Sequence, residues 1–212
     1  MPETFFIFVS FLRGMTAHNL RATRRFVSAA WTQITFDPEF RAKYIAGTAI
    51  NPPFFPARND LKVFSPFCLS AMNDYRVEYD VERTRHMFFP LLPSRLSAIY
   101  AFGDFESCVE ASRRYGWNLD TVRRFHLVPN AMARVHKCNM EIVSLARQTY
   151  LMSQFTEDSV TSLWRDYWSG KGNLEMNLVD EKLQPRVCQS GELWEYLIEG
   201  EMILADGESY LP

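Results

Sequence analysis

Cysteine and histidine are scarce in this chain of 212 residues, with four of each. The cysteines, at positions 68, 108, 138 and 188, form no C-x-x-C pair, and only His136 lies near one of them. Disulfide frameworks and zinc sites need grouped ligands, so the sequence predicts neither disulfides nor a structural metal. Isolated thiols of this kind are typical of cytoplasmic proteins, and we expect a cytoplasmic location.

Apolar runs long enough to cross a membrane are also missing. The Phe-rich segment TFFIFVSFL, residues 4–12, is too short to span a bilayer, and Glu3 rather than a basic residue precedes it. This composition differs from that of a signal peptide. We therefore interpret the segment as a buried strand and expect no membrane contact.

Apolar and aromatic residues are abundant, at 47% and 15% of the chain, which is enough for a sizeable core. No repeat, heptad pattern or linker divides the sequence. Helix-like and strand-like segments alternate along it. The sequence therefore predicts a single α+β domain over residues 1–212.

The net charge of −2 conceals an asymmetry. Residues 1–136 contain 17 Lys and Arg against 12 Asp and Glu, whereas residues 137–212 contain 6 against 13. Of those 17 cations 15 are arginines, whose planar forks suit phosphate groups. The first part of the chain is therefore suited to nucleic acid, with an ordinary solvated surface as the alternative.

Periodicity and capping residues predict most of the elements. A long amphipathic helix is expected over residues 17–33, and a second helix begins after Asp37 and ends before Gly47. Further helices are predicted over residues 73–88 and 105–115 and after Thr156, and strands over residues 96–102 and 121–128. LWEYLI and EMILA, on either side of Glu199 and Gly200, are predicted to form a tight-turn hairpin.

Three polar residues stand where apolar strands begin or end: Arg13 in SFLRGM, Ser94 in LPSRLSAIYAF and Glu195 in EYLI. In this order the segments resemble the three signature strands of the ADP-ribosyltransferase family, in its Arg-Ser-Glu branch. EYLI is also similar to the strand opening of DNA-modifying DarT-like enzymes. The resemblance extends over nearly the whole chain. It implies an ADP-ribosyltransferase-like split antiparallel or mixed β-sheet with flanking helices.

The resemblance implies transfer of ADP-ribose from NAD to a macromolecule. Glu195 would be the catalytic carboxylate and Ser94 its support, while Arg13 and Gly14 would bind NAD and Tyr100 would stack on nicotinamide. These residue types suit the chemistry, because cleavage of the nicotinamide bond develops positive charge on the ribose, which a carboxylate stabilises. A rigidly placed arginine likewise suits pyrophosphate. The aromatic loop at Phe54–Phe55 is an alternative stacking partner.

The sequence departs from the family pattern at two places. The second strand lacks a Ser-Thr-Ser triplet, and Leu193 occupies the position where protein-modifying members have Gln or Glu. Leu193 therefore favours nucleic acid over protein as the acceptor. Glu201 is an alternative catalytic acid. Glu195 is preferred because EYLI carries the resemblance and because Glu199 and Gly200, which directly precede Glu201, have the composition of a turn.

Two other functions stay open at this point. One is a non-catalytic, Arg-rich module that binds nucleic acid or protein, and the other is an NAD glycohydrolase. The resemblance itself implies an intracellular toxin or anti-phage effector. Its partners would be NAD, a nucleic-acid or protein acceptor, and an antitoxin or other neutralising protein.

Overall fold

The computed structural model describes residues 2–10, 14–49, 66–152, 156–179 and 185–209. The chain combines helices with antiparallel strands, which confirms the α+β class. It divides into two compact units, the first within residues 1–49, 91–137 and 193–212 and the second within residues 50–90 and 138–192. Whether the chain acts as a single domain stays a prediction. None of the described helices is both long and apolar enough to cross a membrane.

Two antiparallel sheets form the first unit. Their strands are β1 (Phe5–Phe8), β2 (Arg25–Val27), β3 (Ile99–Ala101), β4 (Val122–Leu127), β5 (Arg134–Asn139), β8 (Trp194–Glu199) and β9 (Glu201–Leu204). The four-stranded sheet has the order β1-β4-β9-β2, and the three-stranded sheet has the order β3-β8-β5. Phe6 and Phe102 exchange two backbone hydrogen bonds of 2.8 Å, which join β1 to β3. The order across both sheets is therefore β5-β8-β3-β1-β4-β9-β2.

The core of this unit follows from alternation along the strands. Phe5, Ile7 and Val9 point inward and are almost fully buried, together with Phe125 and Met202. Full burial of each such side chain contributes roughly 1.5–3 kcal/mol to the free energy of folding. The strand predicted over residues 4–12 is thus confirmed at Phe5–Phe8, and it ends before residues 9 and 10.

The helix expected over residues 17–33 is a wrong prediction. Two helices, α1 (Gly14–Thr23) and α2 (Ala29–Phe36), are separated by β2. Arg24 adopts a positive φ of 55°, which ends α1, and the side chain of Ser28 caps α2 by accepting a hydrogen bond from the Trp31 amide. Pairing of β2 with β9 satisfies backbone groups that the helix would have used, so tertiary structure overrides the helical pattern.

Two other helices of this unit agree with the sequence. In α3 (Pro38–Ile45) the Asp37 carboxylate accepts a hydrogen bond of 2.9 Å from the Phe40 amide, and the following Gly47 has a positive φ. In α5 (Phe105–Tyr115) the chain ends the helix at Gly116, in the left-handed conformation. Capping residues with a local mechanism therefore predicted these boundaries well.

The predicted hairpin around Glu199 and Gly200 is wrong. The two strands follow each other in the chain, yet β8 pairs with β3 whereas β9 pairs with β4 and β2. The Gly200 carbonyl accepts a hydrogen bond from the Ser28 amide and the Gly200 amide donates one to the Ser28 hydroxyl, at 3.0 Å each, instead of forming a turn. A Cβ at Gly200 would lie 3.1 Å from a methyl carbon of Leu127, so the bend between the sheets suits glycine.

Helices dominate the second unit. It contains α4 (Pro66–Phe88), α6 (Met140–Met152), α7 (Glu157–Trp168) and a hairpin of β6 (Glu175–Val179) and β7 (Pro185–Gln189). Trp164, Tyr167 and Trp168 of α7 are fully buried, and the Trp168 indole donates a hydrogen bond of 2.9 Å to the carbonyl of Val81. The predictions over residues 73–88 and after Thr156 are confirmed, whereas α6 and the hairpin were not predicted.

One histidine makes the stability of the first unit dependent on pH. Burial lowers the pKa of His136, on β5, to about 4 from an ordinary value near 6.5. The neutral imidazole therefore favours the folded state above pH 6.5, and this contribution is lost as the pH falls from about 6.5 to about 4, by up to about 3 kcal/mol. Urea titrations at several pH values should show that the free energy of unfolding falls less between about pH 6.5 and pH 4 for His136→Gln than for wild type. His126 is exposed, so His126→Gln is the control. The same dependence of the free energy of unfolding on pH in all three proteins would contradict the prediction.

Candidate functional site

Two carboxylates lie on one face of β8, in the first unit. Side chains alternate along a strand, so Glu195 and Glu199 point to one face while Tyr196 and Ile198 pack against the core. Glu195 is 5% exposed and Glu199 2%. Tyr100 of β3 pairs directly with Leu197, which places its ring on the same face as the two carboxylates. A buried acid needs a partner, and each of these acids has one.

Arg95 is the partner of Glu195. Its Nη1 lies 3.0 Å from Glu195 Oε1, and both side chains are 7% exposed. The guanidinium also lies over the Tyr100 ring, 5.2 Å from its centroid, and the Tyr100 hydroxyl donates a hydrogen bond of 2.7 Å to the Arg95 carbonyl. A planar cation is thus held against a carboxylate and an aromatic face. Tyr100 is 41% exposed, so part of its ring faces solvent beside the buried ion pair.

Glu199 positions the turn that carries Arg95. Its Oε1 accepts hydrogen bonds from the Ser94 amide at 3.0 Å and from the Ser97 hydroxyl at 2.6 Å. Ser94 Oγ accepts a hydrogen bond from the Leu96 amide, which closes the turn locally. Because charge-assisted bonds are the stronger kind, Glu199 fixes residues 94–97 against β8.

The start of α2 is tied to the same place. The Ala29 amide donates a hydrogen bond of 3.0 Å to the Ser97 carbonyl, and Ser28 is bonded to Gly200 through its amide and its hydroxyl. Ser97 also donates a hydrogen bond to Glu199 through its hydroxyl, and Gly200 directly follows Glu199 in the chain. The cluster therefore rests on β3, β8 and α2, which are rigid elements of one unit.

The structure brings three of the predicted site residues together. Ser94, Tyr100 and Glu195 lie in one cluster, and Gly14 is the first residue of α1. The predictions for Arg13 and for Phe54–Phe55 lie outside the described residues.

Three residues of the cluster were missed: Arg95, Ser97 and Glu199. The sequence does contain a signal for them, because Glu195 and Glu199 are four residues apart in a strand and must share a face. Polar residues also recur in PSRLS immediately before the apolar strand β3. Two buried carboxylates on one strand face imply donors close by, and this segment supplies them.

Glu201, the alternative catalytic acid, lies on β9 in the other sheet. It forms an ion pair with Arg25, and its side chain is 17% exposed. The change of sheet at Gly200 separates it from the cluster around Glu195. Glu201 instead lines a cleft of about 520 Å³ between α1, β2 and α2.

The cluster offers groups that could hold a charged nucleotide. An accessible tyrosine ring can stack on an aromatic base, a guanidinium can bind phosphate, and a carboxylate can stabilise positive charge. Among the described residues, no group of His, Cys, Asp and Glu could hold a metal ion. No family model matches the chain, and no curated protein matches it.

Proposed function

We propose that the protein transfers ADP-ribose from NAD to a nucleic acid, with Glu195 as the catalytic carboxylate. The observation that carries the proposal is the convergence of Ser94, Arg95, Tyr100 and Glu195 in one buried, polar cluster with an accessible aromatic rim. These residues come from segments about 100 positions apart in the chain. Such a grouping is costly to bury and is typical of functional sites.

The arrangement of the strands supports the same proposal. Of the segments that resemble the family's signature strands, LPSRLSAIYAF contains β3 and EYLI lies in β8, while β1 precedes FLRG, whose residues 11–13 lie outside the described residues. β1 meets β3 at the Phe6–Phe102 bridge, and β3 pairs with β8 over Ile99 to Ala101. Two antiparallel sheets joined by one bridge agree with a split sheet of the kind that the resemblance implies.

The reaction has a simple balance. The bond between ribose C1′ and the nicotinamide nitrogen breaks, and nicotinamide leaves with the bonding electron pair. An oxygen or nitrogen nucleophile of the acceptor forms the new bond to C1′ and releases its proton to solvent. Positive charge develops on the ribose between these events, and a carboxylate in a site with little water stabilises it. Tyr100 is suited to stacking on the nicotinamide ring, and Arg95 to a phosphate.

Nucleic acid is the acceptor that the chain favours. Leu193 is apolar and 4% exposed, so it offers no polar group for selecting a protein side chain. Fifteen arginines in residues 1–136 suit a phosphate backbone. A cytoplasmic toxin or anti-phage effector, controlled by an antitoxin or another neutralising protein, is the biological role that we propose for such an activity.

A non-catalytic binding module is the second candidate. The observation in its favour is the Arg95–Glu195 ion pair, because the guanidinium neutralises the carboxylate that catalysis would use. The same fold could also cleave NAD with water as the acceptor. All three functions give different results in one experiment.

The experiment is an incubation of the full chain with NAD labelled on its adenylate phosphate. Single-stranded DNA, RNA and cell lysate are offered as acceptors in separate reactions. We expect label on DNA or RNA that is resistant to protease and sensitive to nuclease. Free ADP-ribose without label on any acceptor would indicate hydrolysis, and unchanged NAD in every sample would leave the binding module.

A further inference from the structure

The strand β2 forms one edge of the four-stranded sheet, where β9 is its neighbour. At one end of this pair the Ser28 amide donates a hydrogen bond of 3.0 Å to the Gly200 carbonyl. At the other end the Leu204 amide donates one of 2.8 Å to the Arg24 carbonyl. Backbone groups point alternately to the two sides of a strand in an antiparallel sheet. The even-numbered residues of this segment therefore face β9, and the odd-numbered ones face away from the sheet.

The odd-numbered residues, Arg25 and Val27, carry the backbone groups of the free edge. The Arg25 amide donates a hydrogen bond of 3.1 Å to the Thr23 hydroxyl, so it is already satisfied. Among the described residues, none accepts from the Val27 amide and none donates to the carbonyls of Arg25 and Val27. The edge thus presents an acceptor, a donor and a second acceptor in a row. Another extended strand complements this pattern.

A cleft of about 520 Å³ lies beside this edge, between α1, β2 and α2 and entirely within the first unit. All three residues of β2 line it, although Phe26 packs against the core while Arg25 and Val27 are exposed. A cleft on one face of a strand would be lined by every second residue. This cleft therefore lies along the backbone edge, and its volume is within the range of roughly 300–1,000 Å³ that is common for binding sites.

The walls of the cleft carry no net charge. The charged residues that line it are Arg25 and Glu201, and they form an ion pair with each other. A strongly charged occupant would therefore find no counter-charge, whereas an uncharged one fits. The helical walls add uncharged polar side chains, namely Thr16, Asn19, Thr23, Thr32 and Thr35.

Apolar side chains that a partner could cover lie at the same edge. Val27 is 40% exposed, and Ile203, which lies diagonally opposite on the same face of the sheet, is 37% exposed. Phe36, the last residue of α2, lines the cleft and is 81% exposed. An added strand would remove part of this apolar surface from water, which favours association.

The helices at both ends of β2 favour a linear occupant. α1 ends at Thr23 and α2 begins at Ala29, so the three-residue strand is attached to a helix on each side. A second copy of this chain would bring its own two helices against the same edge. A linear segment carries none and can enter the cleft between α1 and α2.

From these observations we propose that the cleft beside β2 binds an extended, uncharged segment of another protein, which adds a strand to the four-stranded sheet. The segment would bond to the Val27 amide and to the carbonyls of Arg25 and Val27. In such strand addition the backbone bonds give affinity, and the walls that meet alternate side chains give specificity. The proposal concerns binding alone and does not depend on transfer of ADP-ribose.

The test begins with a selection on the purified full chain, from a displayed library of linear ten-residue peptides that lack Asp, Glu, Lys and Arg. Enriched peptides are synthesised with fluorescein, and their binding is measured by fluorescence anisotropy. We expect Val27→Pro to weaken binding by at least about tenfold, because proline removes the amide donor and its ring blocks the edge. The Val27 amide points away from β9, so circular dichroism should show a folded variant. Val27→Thr keeps the amide and is the matched control, expected within about threefold of wild type.

N-methylation of an enriched peptide, one residue at a time, tests the strand geometry on wild-type protein. Every second amide of an added strand faces β2, so we expect losses of at least about tenfold that recur with a period of two residues. Losses without this period would overturn the proposal, as would equal binding by Val27→Pro and Val27→Thr or a selection that enriches no peptide. Analytical ultracentrifugation without peptide completes the test. A dimer that Val27→Pro disrupts would assign the edge to a second copy and overturn the proposal.

Discussion

Replacement of Glu195 by glutamine is expected to lower NAD cleavage by roughly 10²- to 10³-fold, the usual effect of removing one preorganised electrostatic group. Glutamine has the shape of glutamate and keeps an oxygen that can accept a hydrogen bond from Arg95, so we expect the protein to fold, with a lower free energy of unfolding because the buried Arg95 cation loses its counter-charge. The charge that would stabilise the ribosyl cation is lost. The measurement is the initial rate of nicotinamide release at saturating NAD, with circular dichroism to verify folding.

Glu201→Gln is the matched control for this variant. Glu201 lies two residues beyond Glu199 but in the other sheet, where it pairs with Arg25. We expect its substitution to leave nicotinamide release within about twofold of wild type, because Glu201 is paired with Arg25 and belongs to a different sheet from the strand that carries Glu195. Loss of activity in Glu201→Gln with full activity in Glu195→Gln would assign the catalytic role to Glu201 and contradict this account.

The second large effect concerns stability. Arg95→Ala should lower the free energy of unfolding of the first unit by about 3–5 kcal/mol, because it leaves the Glu195 carboxylate buried without its cation. The variant also removes the guanidinium that stacks on Tyr100. Urea unfolding followed by tryptophan fluorescence and circular dichroism measures the change.

Two further proteins control for this interpretation. Arg113→Ala removes a surface pair with Glu110, in which the arginine is 70% exposed, and should lower the free energy of unfolding far less than Arg95→Ala, because solvent screens the pair. The double variant Arg95→Met with Glu195→Leu removes both charges and should recover most of the stability lost in Arg95→Ala. Equal losses in Arg95→Ala and Arg113→Ala would show that the Arg95–Glu195 pair is not a buried, coupled pair.

Local signals in the sequence predicted many elements correctly. The Asp37 cap with Pro38, the Gly116 stop after α5 and the Thr156 cap of α7 each act within a few residues, so they need no knowledge of the fold. The strands with strong alternation, β1 and β4, were predicted for the same reason. The α+β class followed from their alternation with helices.

The errors arose where long-range pairing determines the structure. β2 interrupts a helical pattern because β9 offers it backbone partners far along the chain, such as Met202 opposite Phe26. Glu199 and Gly200 have the composition of a turn, yet the preceding and following strands find better partners in different sheets. No local pattern contains this information, because the same residues suit both a hairpin of β8 with β9 and two strands that pair in different sheets.

The candidate site shows the same division. Ser94 and Glu195 were identified from strand ends, where polar residues adjoin apolar runs, whereas Tyr100 was chosen as an aromatic ring suited to stacking on nicotinamide. Arg95 and Glu199 were missed because their importance depends on which strands pair, and only the β3–β8 register brings residues 94–97 against β8. The role of Ser94 in supporting Glu195 stays a prediction. In the structure the Ser94 amide donates a hydrogen bond to Glu199.

Nicotinamide release from NAD by the purified full chain, compared with Glu195→Gln at equal concentration, tests the central claim most directly. Chromatography quantifies nicotinamide and the remaining NAD in parallel, in the presence of single-stranded DNA and RNA. This account predicts steady release by wild type and a loss of roughly 10²-fold or more in Glu195→Gln. No release by wild type with any acceptor, or equal release by both proteins, would contradict it.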